Sequence, residues 1–217
     1  MTTFPGSPRL LKSGIVLVDP QSGAITRIIA LQYNPDTLTR TLAPKVVGSE
    51  GADRSEATRL KGPPVETIKL DAEIDAADQL EVAGPLALQL GIHPQLSALE
   101  GLVYPTASQL QSSRALSASG ALEIAPMLAL LTLFVWSKQR IVPVRLTELS
   151  VTEEAFDPNL NPLRAKVSLG LRVLSVDDLG FDQTGGSLYM AYLQNKEKLA
   201  ASTSPGTLGA LGLTGLP

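Results

Sequence analysis

Hydrophobic and polar residues alternate in the last third of the chain in a pattern typical of β-strands. One face of residues 163–173 is apolar and consists of Leu163, Ala165, Val167, Leu169, Leu171 and Val173. The opposite face carries Arg164, Lys166, Ser168 and Arg172, as expected for a strand with one buried and one solvated side. An equally long strand precedes it across the corner FDPNLNP. Residues 134–175 therefore predict a long β-hairpin.

The apolar positions of the first arm of this hairpin change parity in its middle. Val142, Val144 and Leu146 alternate in register, but the next apolar residues are Leu149 and Val151. One extra residue in a strand, a β-bulge, produces such a shift and bends the strand. We expect a bulge near Thr147, a feature that allows the two halves of a strand to serve different sheets or different subunits.

The N-terminal part predicts further strands. Residues 10–18 and 24–33 flank the turn sequence DPQSG, which favours a hairpin. Pro35 interrupts the second run because proline lacks the ladder N–H, and residues 37–42 resume as a short strand. Residues 43–64 mix Gly, Pro, Ser and both charge signs without periodicity. We expect an exposed loop there that contacts a partner.

Residues 65–74 alternate again, and the predicted core face consists of Glu66, Ile68, Leu70, Ala72 and Ile74. Asp75 is placed to cap the helix that follows. Apolar spacing from residue 76 to 103 predicts helical pieces broken at Pro85 and Pro94. Residues 105–120 predict a loop or weak helix, 127–136 a buried strand and 187–200 an amphipathic helix. The fold class is α+β, mainly antiparallel β.

Composition favours one folded domain. The chain has 217 residues, of which 44% are hydrophobic, and its net charge of −3 arises from 18 basic and 21 acidic residues without a basic block, which argues against a nucleic-acid partner. Cysteine is absent, so thiolate chemistry and disulfides are excluded. The longest apolar run, residues 127–136, is shorter than the roughly 20 residues that span a bilayer, so we expect no direct membrane insertion.

Catalytic patterns are missing from the sequence. It contains no GxxxxGK[ST], GxGxxG, GxSxG or HExxH motif, and its one histidine, His93, cannot build a multi-histidine site alone. A carboxylate-dependent hydrolase would rest on the acidic residues Asp71, Glu73, Asp75 and Asp78. Strand alternation and helix capping explain these more simply. We expect no enzyme activity, no catalytic residue and no cofactor.

The corner of the long hairpin has one feature in common with calcium loops. Asp157, Asn159 and Asn161 have the spacing of the first EF-hand ligands, but Pro162 stands where glycine is required and Ser168 where the bidentate glutamate belongs. We therefore expect no metal site. Trp136 and Phe156 are either interface anchors or core residues at strand ends.

Four segments resemble, in the same order, the tube-domain family of contractile injection systems. They are LQYNPDTLTRTLAP, ETIKLDAEIDAADQL, LGIHPQLSALEGLVYP and FVWSKQRIVPVR continuing to FDPNLNPLRAKVSLGLRVL. The resemblance covers residues 10–200. It implies a tail-tube-like β-sandwich or barrel over residues 1–200, with a long hairpin and flanking helices, that assembles into a hexameric ring.

The resemblance also implies a role and partners. The role is a non-catalytic baseplate hub or tube adaptor in a phage-tail-like particle, assembled in the cytoplasm and then released or retained. The partners are the inner tube protein, the spike and other baseplate proteins. The sequence departs from the family at two points: a Gly/Leu-rich segment, residues 201–217, stands in place of a LysM module and is expected to be a flexible tail, and Ser137 replaces a turn glycine.

An open sheet of long strands needs a partner for its edges, so we expect subunit contacts at the hairpin. The interface candidates are Trp136, Arg140, Arg145, Phe156, Asp157, Asn159, Asn161, Arg164 and Arg172. The alternative is a small-molecule-binding β-barrel, whose closed sheet would need no partner.

Overall fold

A computed structural model describes residues 11–46, 59–81, 83–118 and 129–215. The strands are β1 (Gly14–Val18), β2 (Ile25–Ala30), β3 (Leu38–Val46), β4 (Leu60–Asp75), β5 (Leu131–Ser137), β6 (Arg140–Phe156) and β7 (Pro162–Val173). The helices are α1 (Ala77–Glu81), α2 (Pro85–Leu90), α3 (His93–Glu100), α4 (Ala107–Ala118), α5 (Val176–Leu179) and α6 (Thr184–Ala201), followed by a 3-10 turn at Leu208–Leu211.

All seven strands of the described residues form one sheet in the order β2-β1-β5-β6-β7-β4-β3. Every neighbouring pair is antiparallel. The predicted α+β class with mainly antiparallel strands is confirmed. The hairpin turn predicted at residues 19–23 also forms, because Asp19 Oδ1 accepts hydrogen bonds from the backbone N–H groups of Gln21 and Ser22 at 3.0 and 2.7 Å.

The sheet is not closed, since its end strands β2 and β3 do not pair with each other. Its two ends approach at one point, where the side chain of Gln32 bonds to the backbone of Asp75. Gln32 Nε2 donates to the Asp75 carbonyl at 2.7 Å, and the Asp75 N–H donates to Gln32 Oε1 at 2.9 Å. One side-chain amide thus takes the place of a strand residue at the end of β4. Within the described residues the sheet is open, so it forms neither the closed barrel of the alternative hypothesis nor the barrel that the resemblance implied as one possible form.

The long hairpin forms as predicted, and its bulge lies at Thr147. Leu146 pairs with Leu171 and Glu148 with Gly170, so Thr147 is the extra residue. Gly170 allows this close approach: a Cβ there would lie 3.0 Å from Glu148 Cβ and 3.1 Å from Thr147 Oγ1. The bulge therefore depends on the absence of a side chain on the partner strand.

The prediction of an exposed loop over residues 43–64 is wrong at both ends of this range. β3 continues through Val46 and β4 begins at Leu60, and the two strands pair with irregular register between Ala43 and Val46. These strand ends contain Pro44 and Pro63, which edge positions and bulges accept. Composition therefore indicated a loop where paired strands occur. Residues 47–58 lie outside the described part of the chain.

The core combines one face of the sheet with two helices. The predicted face of β7 is buried from Ala165 to Val173, and Ile68 of β4 is fully buried. Helix α3 adds Leu96 and Leu99, Ile92 immediately before it is also buried, and helix α6 adds Tyr189 and Tyr192. The helices break at Pro85 and near Pro94 as predicted, and Asp75 Oδ1 accepts from the Ala77 N–H at 2.7 Å at the start of α1.

Candidate subunit interface

The outer edge of β2 is one of two sheet edges without a strand partner in the described residues. β2 pairs with β1 on its other side, and nearly all its residues are exposed. Ile25 and Ile28 expose 63% and 64% of their surface. Unpaired backbone groups beside exposed β-branched residues form a template for another strand.

The second free edge belongs to β3, at the opposite end of the sheet. Its exposed apolar residues are Leu42 and Val46, which expose 47% and 54% of their surface. Pro44 lies in the same strand, and Lys45 Nζ is 2.8 Å from Asp177 Oδ2 of α5. The two free edges are therefore different strands with different sequences, so a contact between them joins unlike surfaces.

A buried carboxylate secures the β3 edge to the rest of the fold. Glu66 lies on the core face of β4 and its side chain is 4% exposed. Its Oε1 accepts from Arg40 of β3 at 2.8 Å and from the Tyr192 hydroxyl at 3.0 Å, while Oε2 is 3.0 Å from Lys196 Nζ. Arg40 also donates to the Tyr192 hydroxyl at 3.1 Å. The cluster joins β3, β4 and α6.

The electrostatics of this cluster favour the charged carboxylate. Burial alone would raise the pKa of Glu66, but hydrogen bonds and charges from Lys196 and Arg40 outweigh it and lower the pKa. Burial, followed by the neighbouring Glu66 charge, raises the pKa of Tyr192 to about 12. Lys196 Nζ also lies 4.1 Å from the centre of the Tyr192 ring, within cation–π range.

Sequence reasoning missed this cluster. Alternation placed Glu66 on the core face, and a charged residue among Ile68, Leu70 and Ala72 was the available signal. Buried charges are paired in folded proteins, so a cationic partner was required. The partners Arg40 and Lys196 lie 26 and 130 positions away in sequence, and no local pattern connects them.

The predicted interface residues at the start of the hairpin occupy different environments. Trp136 is partly buried, packs against the main core and has its ring 6.0 Å from that of Phe134. Arg140 is half-buried at the start of β6, and Arg145 is exposed. Trp136 thus contributes to the core as well as to the surface.

The solvated face of the hairpin is largely paired within the chain. Arg145 and Arg172 are direct cross-strand neighbours, a like-charge arrangement that is unfavourable alone. Arg172 bonds to Asp178 Oδ1 at 2.8 Å, which offsets its charge. Arg164 bonds to Asp75 Oδ2 at 2.7 Å. Arg145 is exposed and, among the described residues, takes part in none of the ion pairs formed by Arg164 and Arg172.

The remaining candidates lie together at the tip of the hairpin, far from the start of β6. Asp157 Oδ1 accepts from the N–H groups of Asn159 and Asn161 at 2.7 and 2.8 Å, and Oδ2 accepts from Asn161 Nδ2 at 2.8 Å. Both carboxylate oxygens therefore have partners inside the loop. Phe156, beside the loop, is half exposed. The nine predicted residues form two groups, at opposite ends of β6.

A groove lies between β2 and helices α1 and α3. Its volume is about 690 Å³, and its lining includes Ile28, Ile74, Gln79, Gln95 and Leu99. Gln95 Oε1 is buried without a hydrogen-bond partner within the described ranges. In that same part of the chain no cluster of three or more His, Cys, Asp or Glu residues could hold a metal, and no helix is long and apolar enough to cross a bilayer.

No model of a known protein family matches the chain, and no curated protein matches it. Chains of solved structures are similar to it. One, in the tail of an empty gene transfer agent particle with C6 symmetry, is 13% identical, covers 75% of this chain and 90% of its own length, and gives a TM-score of 0.28. Another, in the virion of the native gene transfer agent, is 12% identical, covers 79% and 95%, and gives 0.27.

Proposed function

We propose that the chain is a structural component of a contractile injection system. It acts as a baseplate hub or inner-tube adaptor that forms a hexameric ring linking the inner tube to the spike, and it is assembled in the cytoplasm as part of the particle. The observation that carries this proposal is the open sheet with free edges at β2 and β3. The sequence resemblance supplies the class of particle.

The two edges support a ring because they differ. When β2 of one copy contacts β3 of the next, two unlike edges meet, so the contact is head-to-tail and generates a ring when the rotation between successive copies closes. Backbone pairing would satisfy the N–H and C=O groups of both edges. The exposed apolar residues Ile28 and Leu42 would be covered at the same contact. The Glu66 cluster supports this contact by fixing β3 to the sheet.

A charge-exchange experiment tests the pairing of β2 with β3. Ile28→Asp and Leu42→Lys each place a charge at one edge and should reduce the ring to monomers in sedimentation velocity. The double variant brings opposite charges to the same contact and should restore the ring. Leu110→Asp, on a residue of α4 that exposes 51% of its surface, is the control and should leave the ring unchanged. Rings that form equally well from all variants would exclude this edge contact.

A further inference from the structure

Residues 207–213, which we call the leucine turn, form a short structure held by its own hydrogen bonds. Thr207 Oγ1 accepts from the N–H group three residues further on at 3.3 Å. The Leu213 N–H donates to the Leu208 carbonyl at 3.0 Å, and Gly212, with φ +72°, allows the chain to close in this way. The leucine turn is therefore formed in the single chain, and it needs no partner for these backbone groups.

The leucine side chains of this turn are left uncovered. Leu208 and Leu211 lie three residues apart in a 3-10 helix, a spacing that places both side chains on the same side. They expose 42% and 74% of their surface, and Leu213 exposes 43%. Within the described residues none of the three belongs to the hydrophobic core. Residues 199–215 contain no charged residue, so the turn presents an uncharged apolar surface of the kind that contacts protein.

The groove between β2 and helices α1 and α3 has the size and chemistry to receive such a turn. Its volume of about 690 Å³ lies in the usual range of sites that enclose a ligand. Its lining includes the apolar residues Ile74, Ala98 and Leu99 and the exposed charged residues Lys12, Arg27 and Asp78. Because the charged residues carry both signs, a charged occupant would meet a like charge. An uncharged apolar segment avoids that repulsion.

Helix α6 carries the leucine turn on the β3 side of the fold. Tyr192 and Lys196 of α6 bond to Glu66 of β4, the residue that secures β3. Glu66 and the groove residue Ile74 are eight positions apart in β4, about 26 Å of strand. Residues 202–207 connect α6 to the leucines of the turn and span at most about 20 Å. This separation favours the groove of a second copy over that of the same copy.

We propose that the leucine turn of one copy docks into the groove of a second copy, with Leu208 and Leu211 as anchors against Ala98 and Leu99. The inference deepens the proposed function and rests on it, because a β3 edge that meets the β2 edge of the next copy brings α6 and the turn to the side where the groove lies. The turn and the groove are different surfaces of one chain. Their contact is therefore head-to-tail, like that of the two edges.

Cross-linking between two full-length variants tests this contact. The chain contains no cysteine, so Ala210→Cys in one variant marks the leucine turn and Ser97→Cys in the other marks helix α3 beside the groove. A short bismaleimide should join the mixed variants into a covalent heterodimer on a denaturing gel. Leu211→Asp added to the first variant, or Ala98→Trp added to the second, should lower the yield by at least about tenfold, because a few central apolar anchors dominate such contacts.

Controls on α4 match these two substitutions. Leu110→Asp, at a leucine that exposes 51% of its surface, and Ser112→Trp, at an exposed serine, introduce the same side chains away from the contact and should leave the yield unchanged. Circular dichroism establishes that each variant is folded. If Ala98→Trp does not fold, Asp78→Trp obstructs the same groove from an exposed position and should lower the yield in its place.

The outcomes distinguish this inference from the proposed function. A wild-type ring in sedimentation velocity without a cross-link between the two cysteine variants would refute only the docking of the turn. A cross-link that depends on Leu211 in a chain that forms no ring would refute only the proposed ring. Equal yields with and without Leu211→Asp would overturn the inference. So would a cross-link that forms only within a single chain carrying both cysteines.

Discussion

The hydroxyl group of Tyr192 donates a hydrogen bond to Glu66 Oε1 at 3.0 Å and thereby connects the last long helix to the strand next to the sheet edge. Arg40 donates to the same carboxylate from the edge strand itself. The orientation of β3 therefore depends on a side chain of β4 and a side chain of α6. Because β3 is one of the two free edges, this buried cluster links the stability of the monomer to the surface proposed for assembly.

Removal of the Glu66 charge should loosen this arrangement. We expect Glu66→Gln to lower the free energy of unfolding by about 1–3 kcal/mol, because hydrogen bonds to charged groups contribute that much and Arg40 and Lys196 lose their counter-charge. Urea unfolding measures the change. Amide exchange in β3 should accelerate more than in β7.

Asp71→Asn is the matched control for this variant. Asp71 is an exposed carboxylate on the opposite face of β4, bonded to Ser168, and exposed pairs contribute at most about 1 kcal/mol. Equal effects of the two substitutions would contradict the structural role assigned to Glu66.

Stability should decline in alkaline solution through Tyr192. Its pKa rises in the fold from 10.0 to about 12, so the fold favours the neutral hydroxyl, and this contribution is complete below pH 10 and lost as the pH rises through 12. Tyr192→Phe should reduce the slope of unfolding free energy against pH in this window by up to about 1.4 kcal/mol per pH unit. Tyr104→Phe, at an exposed tyrosine, should not.

In acid solution stability should change with pH in the opposite direction, because the shifted group is the carboxylate of Glu66. The fold lowers the pKa of Glu66 from 4.5, so its contribution is complete above pH 4.5 and is lost as the pH falls through the lowered value. Glu66→Gln should therefore weaken the dependence of unfolding free energy on pH below 4.5. An unchanged acid profile would show that other carboxylates account for it.

The bulge at Thr147 should make Gly170 intolerant of a side chain. Valine normally suits a central strand, but here its Cβ would meet Glu148 Cβ and Thr147 Oγ1 near 3 Å. We expect Gly170→Val to cost about 1–3 kcal/mol, the usual range for overpacking, in chemical denaturation. Deletion of Thr147 in the same chain should recover part of this loss, and no recovery would place the strain elsewhere.

The buried face of β7 should reject a charge. Leu169 is 2% exposed in the core, and an unpaired carboxylate there costs several kcal/mol, roughly, so we expect Leu169→Asp to abolish folding as judged by circular dichroism. The control is Thr152→Asp, which places the same group on the exposed face opposite Lys166. A folded Leu169→Asp protein would contradict the assigned core.

Sequence patterns predicted the buried strand face, the bulge and the helix breaks. The alternation in β7 identified its buried face, and the parity change at Leu149 located the bulge, because side chains of a strand alternate strictly between two faces. The proline positions identified the helix breaks. All three features depend on residues close in sequence.

The failures arise from long-range contacts. The composition of residues 43–46 and 60–64 predicts a loop because Pro and Gly are common in turns, yet pairing between β3 and β4 overrides that preference. The pairing of Gln32 with Asp75, 43 positions apart, and the partners of Glu66 have no local signature. Leu160 adopts φ +65°, and a leucine after an Asp-Pro turn gives no local sign of this left-handed conformation.

The mass of the complex that the chain forms with its inner tube and spike proteins tests the proposed hexameric ring most directly. Mass photometry and negative-stain microscopy of the purified chain, mixed with its inner tube and spike proteins, should show rings of six copies with density for both partners on their faces. A protein that remains monomeric in the presence of both partners and is absent from purified particles would contradict the account.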